Sequence, residues 1–111
     1  MNFLPKVEEI ILLSIWKLKD NAYGISIIEQ VEKDTGIKWL SGSVYGVLSR
    51  LKKNGYIATA RIEQSAEQSG RPRIYYTITK SGIGKLIFAQ KTNQKIWVNV
   101  PDLEKAGKST Q

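Results

Sequence analysis

The stretch SGSVYGVLSRLKKNG, residues 41 to 55, is a helix with both ends written into it, and the segments directly after it have the pattern of strands. Ser41 is a plausible N-cap, and Gly55 supplies the left-handed residue that closes a helix C-terminus. Val44, Leu48 and Leu51 form one apolar line with Val47 beside it. The more accessible surface is left to Ser43, Tyr45, Gly46, Ser49, Arg50, Lys52 and Lys53. Directly downstream, YIATARIEQ and RIYYTI read as strands joined by the polar segment SAEQSGRP. The alternation in RIYYTI predicts Ile74, Tyr76 and Ile78 on a packed, half-buried sheet face and Tyr75 and Thr77 on the accessible one.

The remaining periodicities place this helix and hairpin in a fixed order. A first helix is predicted over Lys6 to Leu18, where Val7, Ile11, Ile15 and Leu18 repeat while Ile10, Leu13 and Trp16 broaden the apolar surface. Such breadth suits either a central core helix or one shared with another subunit. A second helix, Tyr23 to Lys33, buries some of Ile25, Ile27, Ile28 and Val31 and stops at Asp34, Thr35 and Gly36. Thr79 caps a fourth helix running from Lys80 to Trp97, with Ile83, Leu86, Ile87 and Trp97 on a broad apolar sector. Three helices, a hairpin and a further helix make a mainly α chain with a β-hairpin wing, the parts of a winged helix-turn-helix. Residues 1–79 are expected to form the winged unit, 80–98 a separate C-terminal helix and 99–111 a polar tail that frays. A 111-residue chain buries a limited fraction of its surface alone, so self-association is expected to complete the single domain.

Charge points to the partner. Residues 1 to 37 hold four lysines against six acids, whereas residues 38 to 111 hold thirteen lysines or arginines against four acids. A positive field of this kind favours DNA, RNA or an anionic surface, and also serves solubility. The chain has no cysteine and no histidine. Disulfides, thiolate or imidazole metal ligands, and cysteine or histidine catalysis are excluded. No spaced pair of acids or nucleotide-binding loop forms a reacting centre, so no enzyme and no cofactor is expected. The apolar run IILLSIW falls far short of the roughly 20 residues that span a bilayer, which suggests a cytoplasmic protein without membrane association.

Candidate contacts come from the winged arrangement. Amides near Gly42 and Ser43 sit at the positive end of the third helix and suit a phosphate, with the Ser43 hydroxyl beside them. Tyr45 and Ser49, four residues apart, face away from the apolar line and can approach bases or phosphates, although Tyr45 also suits packing or a hydroxyl anchor. Arg50 and Lys53 lie three apart at the same helix's end, either as contacts or as solvated charge, and Lys38 precedes the helix within reach of phosphate. Arg71 and Arg73 flank Pro72, whose fixed φ stiffens their presentation to a phosphate or a narrow minor groove. Solubility, or pairing with Glu63 or Glu67, is the alternative role for the two arginines. Tyr75 extends the same accessible face.

AYGISIIEQV, SGSVYGVLSRLKKNGYI and GRPRIYYTITKSG, in this order and spacing, resemble the PadR-like family of bacterial winged-helix transcriptional regulators over about residues 7 to 98. The resemblance implies a homodimer that binds double-stranded DNA at a roughly palindromic operator, usually as a repressor. It implies DNA contact by Tyr23, Ser43, Tyr45, Arg71 and Arg73. It further implies dimerisation through the first and last helices, giving Ile11, Ile15, Ile83, Leu86 and Ile87 places in the interface. The chain resembles the small subclass with one C-terminal helix. Some small relatives bind flat aromatic compounds between subunits against a tryptophan, which offers Trp97, and Trp16 from the first helix, either that role or a place in the dimer core. Where family recognition helices include proline this chain has Gly46, which leaves its third helix less constrained. The competing function is a protein-interaction module that keeps the winged fold without specific DNA binding.

Overall fold

A computed structural model describes residues 3–64 and 72–109. The elements are α1 (Lys6–Leu18), a short 3-10 turn (Lys19–Asn21), α2 (Gly24–Thr35), α3 (Ser41–Lys53), β1 (Ile57–Glu63), β2 (Arg73–Ile78), α4 (Lys80–Ile96) and α5 (Leu103–Ser109). The architecture is mainly α with an antiparallel hairpin, the winged helix-turn-helix with an added C-terminal helix that the pattern predicts. The tail expected to fray from Pro101 carries α5. Among the described residues no helix is long and apolar enough to cross a membrane.

α1 is the helix on which the rest is assembled. Its apolar positions point both ways, and α2, α3, β2 and α4 all pack on it. Ile11, Leu12 and Ile15 are sealed among Ala22, Ile27, Val31, Val44, Val47, Leu48, Leu51 and Ile57. Ser14 is buried with them, and its hydroxyl donates to the Ile10 carbonyl at 2.9 Å, so this polar group is not stranded. Ile11 and Ile15 are therefore internal core. That corrects their expected place in a subunit interface, because the side of α1 that carries them is covered by the chain's own core, while Leu13 and Trp16 stay exposed.

α3 is held at both ends by backbone rather than by the expected side-chain cap. Leu40, not Ser41, is the extended residue before the helix, and its carbonyl accepts from the Val44 amide at 3.2 Å. At the other end Gly55 has φ +80°, with Tyr56 N donating to Leu51 O and Gly55 N to Lys52 O, both at 3.0 Å. Those two crossed bonds form a Schellman closure, which needs a left-handed residue and so favours glycine.

The closure delivers the chain straight into β1, and Thr79 returns it. The Thr79 hydroxyl donates to the Gly55 carbonyl at 2.6 Å and accepts from Gly82 N at 3.1 Å, while its amide donates to Tyr56 O at 3.1 Å. One residue thus fastens the end of α3, the base of the wing and the start of α4. The fit is close enough that a Cβ on Gly82 would run into the Tyr56 carbonyl. Gly84, in the same helix, faces open space. Gly82→Ala is expected to cost about 1–3 kcal/mol, the scale of an overpacked site. Gly84→Ala should be neutral or stabilise by up to about 1 kcal/mol through helix propensity. Chemical denaturation at one fixed protein concentration distinguishes the two.

Candidate nucleic-acid interface

The site is built where the start of α2, the exposed face of α3 and the base of β2 meet. Ala22 and Tyr23 lie against β2 through an isolated antiparallel bridge: Tyr76 N donates to Ala22 O at 2.8 Å, and Tyr23 pairs with Tyr75. Tyr23 then begins α2, its amide donating to the Ser26 hydroxyl at 2.9 Å while that hydroxyl donates to Asn21 O at 2.7 Å. The tyrosine is fixed from its backbone outward. Pairing between residues so far apart in sequence gives no periodic signal, so the isolated bridge has no mark in the sequence.

The expected facing of β2 holds for Tyr76, Thr77 and Ile78, but this bridge covers Tyr75, and Ile74 is left exposed. Tyr75 is 4% exposed, whereas Ile74 is 37% exposed and Tyr76 and Ile78 are half-buried against the core. Tyr75 meets Tyr23 edge-on, with ring centroids 5.2 Å apart and planes at 62°, and the Arg61 guanidinium covers its ring at 3.7 Å. Covered from two sides, Tyr75 supports the interface from beneath and does not extend its accessible surface. Arg73 lies over Tyr23 at 4.2 Å, with Nη1 3.5 Å from the Tyr75 hydroxyl. The Tyr75 hydroxyl, and the negative charge of Glu63 behind it, hold the guanidinium firmly protonated, pushing its pKa further up. Arg71 falls outside the described residues.

Tyr45 reaches across from α3 to the same place. Tyr23, Gly24, Ile25, Tyr45, Arg73 and Tyr76 line a concavity of about 270 Å³. The Tyr45 ring end sits where a side chain on residue 24 would be, so Gly24 makes the approach possible. Ser49 and Lys53 continue from Tyr45 along α3 at four-residue spacing and are exposed. Ser43 and Arg50 occupy the other flank, around a recess with Val7, Trp39 and Leu40, and Arg50 Nε lies 3.6 Å from the nearly buried Glu8 carboxylate of α1. Lys38 is exposed in the segment before α3. The structure thus gathers Tyr23, Tyr45 and Arg73, aligns Ser49 and Lys53 with them, and sets Ser43 and Arg50 apart.

The effector and dimer expectations fall elsewhere. Trp16, with Leu13, Ile83, Leu86 and Ile87, lines a second concavity of about 470 Å³ between α1 and α4, bordered by Glu9 and Asn93, whose side chains hydrogen-bond at 3.2 Å. Trp97, 58% exposed, lies just past the end of α4 and is not part of its wall.

A family model described as the transcriptional regulator PadR-like family matches residues 12–86. The chain belongs to this family. As a PadR-like protein it is a DNA-binding transcriptional regulator and not an enzyme. Its fold is similar to a PadR-like transcriptional regulator from Bacillus cereus, with a TM-score of 0.68 and 26% identity over 85% of this chain and 86% of that one. It is also similar to a PadR-like transcription factor from Bacteroides fragilis, with a TM-score of 0.65 and 27% identity over 81% of this chain and 82% of that one. A PadR family regulator from Clostridium difficile, 24% identical, shares the fold at a TM-score of 0.61 over 93% and 96% of the two chains. No curated protein matches the chain at a significant level.

In this PadR-like chain Gly24→Ala tests the concavity. Because the atoms nearest the added methyl are the flexible end of Tyr45, the variant should fold normally and turn Tyr45 away. The expected loss is about 1 kcal/mol of DNA affinity, the scale of one net hydrogen bond. Titration of a labelled promoter fragment, alongside an unchanged melting curve, checks it.

Proposed function

We propose that this PadR-like protein is a homodimeric repressor that binds a roughly palindromic operator, with α3 in the major groove and the wing on adjacent backbone. The observation that carries the reading is the meeting of Tyr23, Tyr45 and Arg73 in one concavity, beside the exposed line of Tyr45, Ser49 and Lys53 on α3. Hydroxyls and a guanidinium suit phosphate oxygens and base edges, and the stacking of Arg73 on Tyr23 lowers the entropic cost of presenting it. Tyr23 and Arg73 are assigned to the backbone, and Tyr45, Ser49 and Lys53 to the groove-facing side. Ser43, Lys38 and Arg50 flank them, and Arg71 belongs to the wing.

Dimerisation is supported by shape. The Cα radius of gyration is 16.9 Å, against about 13 Å for a compact chain of this length. α4 projects with Ile87, Phe88 and Ile96 exposed, and Leu13 and Trp16 of α1 are exposed beside it. We assign the interface to these residues, together with the half-buried Ile83 and Leu86. The concavity between α1 and α4 has the volume of a small-molecule site and an apolar wall, which supports an aromatic effector held against Trp16.

The test is a titration of the protein with DNA from its own promoter and with random DNA, at several salt concentrations. Preference for promoter DNA is expected, and equal affinity at every salt would sink the reading. Arg73→Ala should weaken binding to both DNAs and flatten the salt dependence by about one unit of log–log slope. In solution the protein should have twice the 12.5 kDa chain mass. Ile87→Asp should shift it towards 12.5 kDa, read by sedimentation.

A further inference from the structure

The pairing of β1 with β2 changes register once. Ile57, Ala58 and Thr59 stand opposite Ile78, Thr77 and Tyr76, but Arg61, not Ala60, stands opposite Tyr75, with Ile62 opposite Ile74 and Glu63 opposite Arg73 beyond it. Ala60 is the extra residue. Side chains alternate along a strand, so one inserted residue turns over everything beyond it. Without it Arg61 would stand opposite Ile74, and Ile62 opposite Arg73. With it Arg61 and Glu63 share a face with Tyr75 and Arg73, and with Tyr23 from the far side of β2.

The result is a row of guanidinium, ring, ring, guanidinium: Arg61, Tyr75, Tyr23, Arg73. Arg61 is steadied by its stack on Tyr75 and by the bond from Nη1 to the Asp20 carbonyl at 3.1 Å. Glu63 lies against the row, with Oε2 3.4 Å from Arg61 Nε and Oε1 3.5 Å from the Tyr75 hydroxyl. Both contacts are long for hydrogen bonds, and the Arg61 and Glu63 side chains are 45% and 53% exposed. A pair of this kind is weakly held and open to exchange.

We propose that Arg61 is a further phosphate contact of the DNA interface, and that Glu63 occupies it in the free protein and yields it when a phosphate arrives. This role rests on the DNA-binding function proposed for the chain. Phosphate and carboxylate present the same paired oxygens to a guanidinium, so one replaces the other without moving the stacked arginine. The bulge at Ala60 is what brings Arg61 onto the face that carries Arg73.

A double-mutant cycle decides it, measured on promoter and random DNA with the full chain. Arg61→Ala should weaken binding to both and reduce the log–log salt slope by about one. Glu63→Gln should tighten binding about two- to fivefold, the worth of freeing an exposed pair. In the Arg61→Ala background most of that gain should vanish. An equal gain in both backgrounds would overturn the proposal, because Glu63 would then act only as a general negative charge. Unchanged affinity and slope for Arg61→Ala would overturn it too. If the alanine variant melts early, Arg61→Gln takes its place with the same expectations. Lack of promoter preference in the unmodified protein would count against the specific-regulator reading alone. The cycle on random DNA would still decide Arg61, since phosphate contacts need no sequence.

Discussion

The wing of this protein is useful only because it is pinned to the start of α2. The hydrogen bond from Tyr76 N to Ala22 O and the isolated bridge between Tyr23 and Tyr75 fasten a two-stranded hairpin, marginal by itself, to the start of α2. Once that contact exists, Tyr75 is buried, Tyr23 is ordered at its edge, and Arg73 has a ring to lie on. Tyr23, Arg73 and, from α3, Tyr45 then share one surface. Without the bridge the wing arginine would carry the full entropy of a long side chain at a hairpin base.

Thr79 performs the matching task on the other side of the wing. By joining Gly55, Tyr56 and Gly82 it fixes the angle at which α4 leaves the winged unit. In the homodimer proposed above, that angle would set the separation of the two α3 helices, and so link operator spacing to a few backbone contacts. The core explains why α4 is available for this purpose. α1 spends its Ile11, Leu12 and Ile15 on the chain's own interior, leaving Leu13 and Trp16 outward beside the exposed face of α4.

Much of this is legible in the sequence, for identifiable reasons. The helices carry strong 3.6-residue periodicity and marked ends: α1 falls on its predicted residues, Gly55 has the left-handed conformation, and Thr79 caps α4. The hairpin's existence is equally plain. What stays hidden is long-range: period two says that residues alternate, not which face a distant segment will cover. Alternation alone therefore turns Tyr75 outward, where Tyr23 and Arg61 cover it. The bulge at Ala60 is silent in the same way, since an alanine in a strand looks like any other. Ile11 and Ile15 are apolar enough for either a core or an interface, and only the packing of four elements on α1 decides between them.

The most direct test of the shared face is amide chemical-shift mapping of the labelled protein as promoter DNA is added. Perturbations are predicted to concentrate at residues 22–26, 43–53, 61–63 and 72–76, moving together with one affinity. Shifts confined to α1 and α4, with the start of α2 and the wing unmoved, would contradict a shared DNA-binding face.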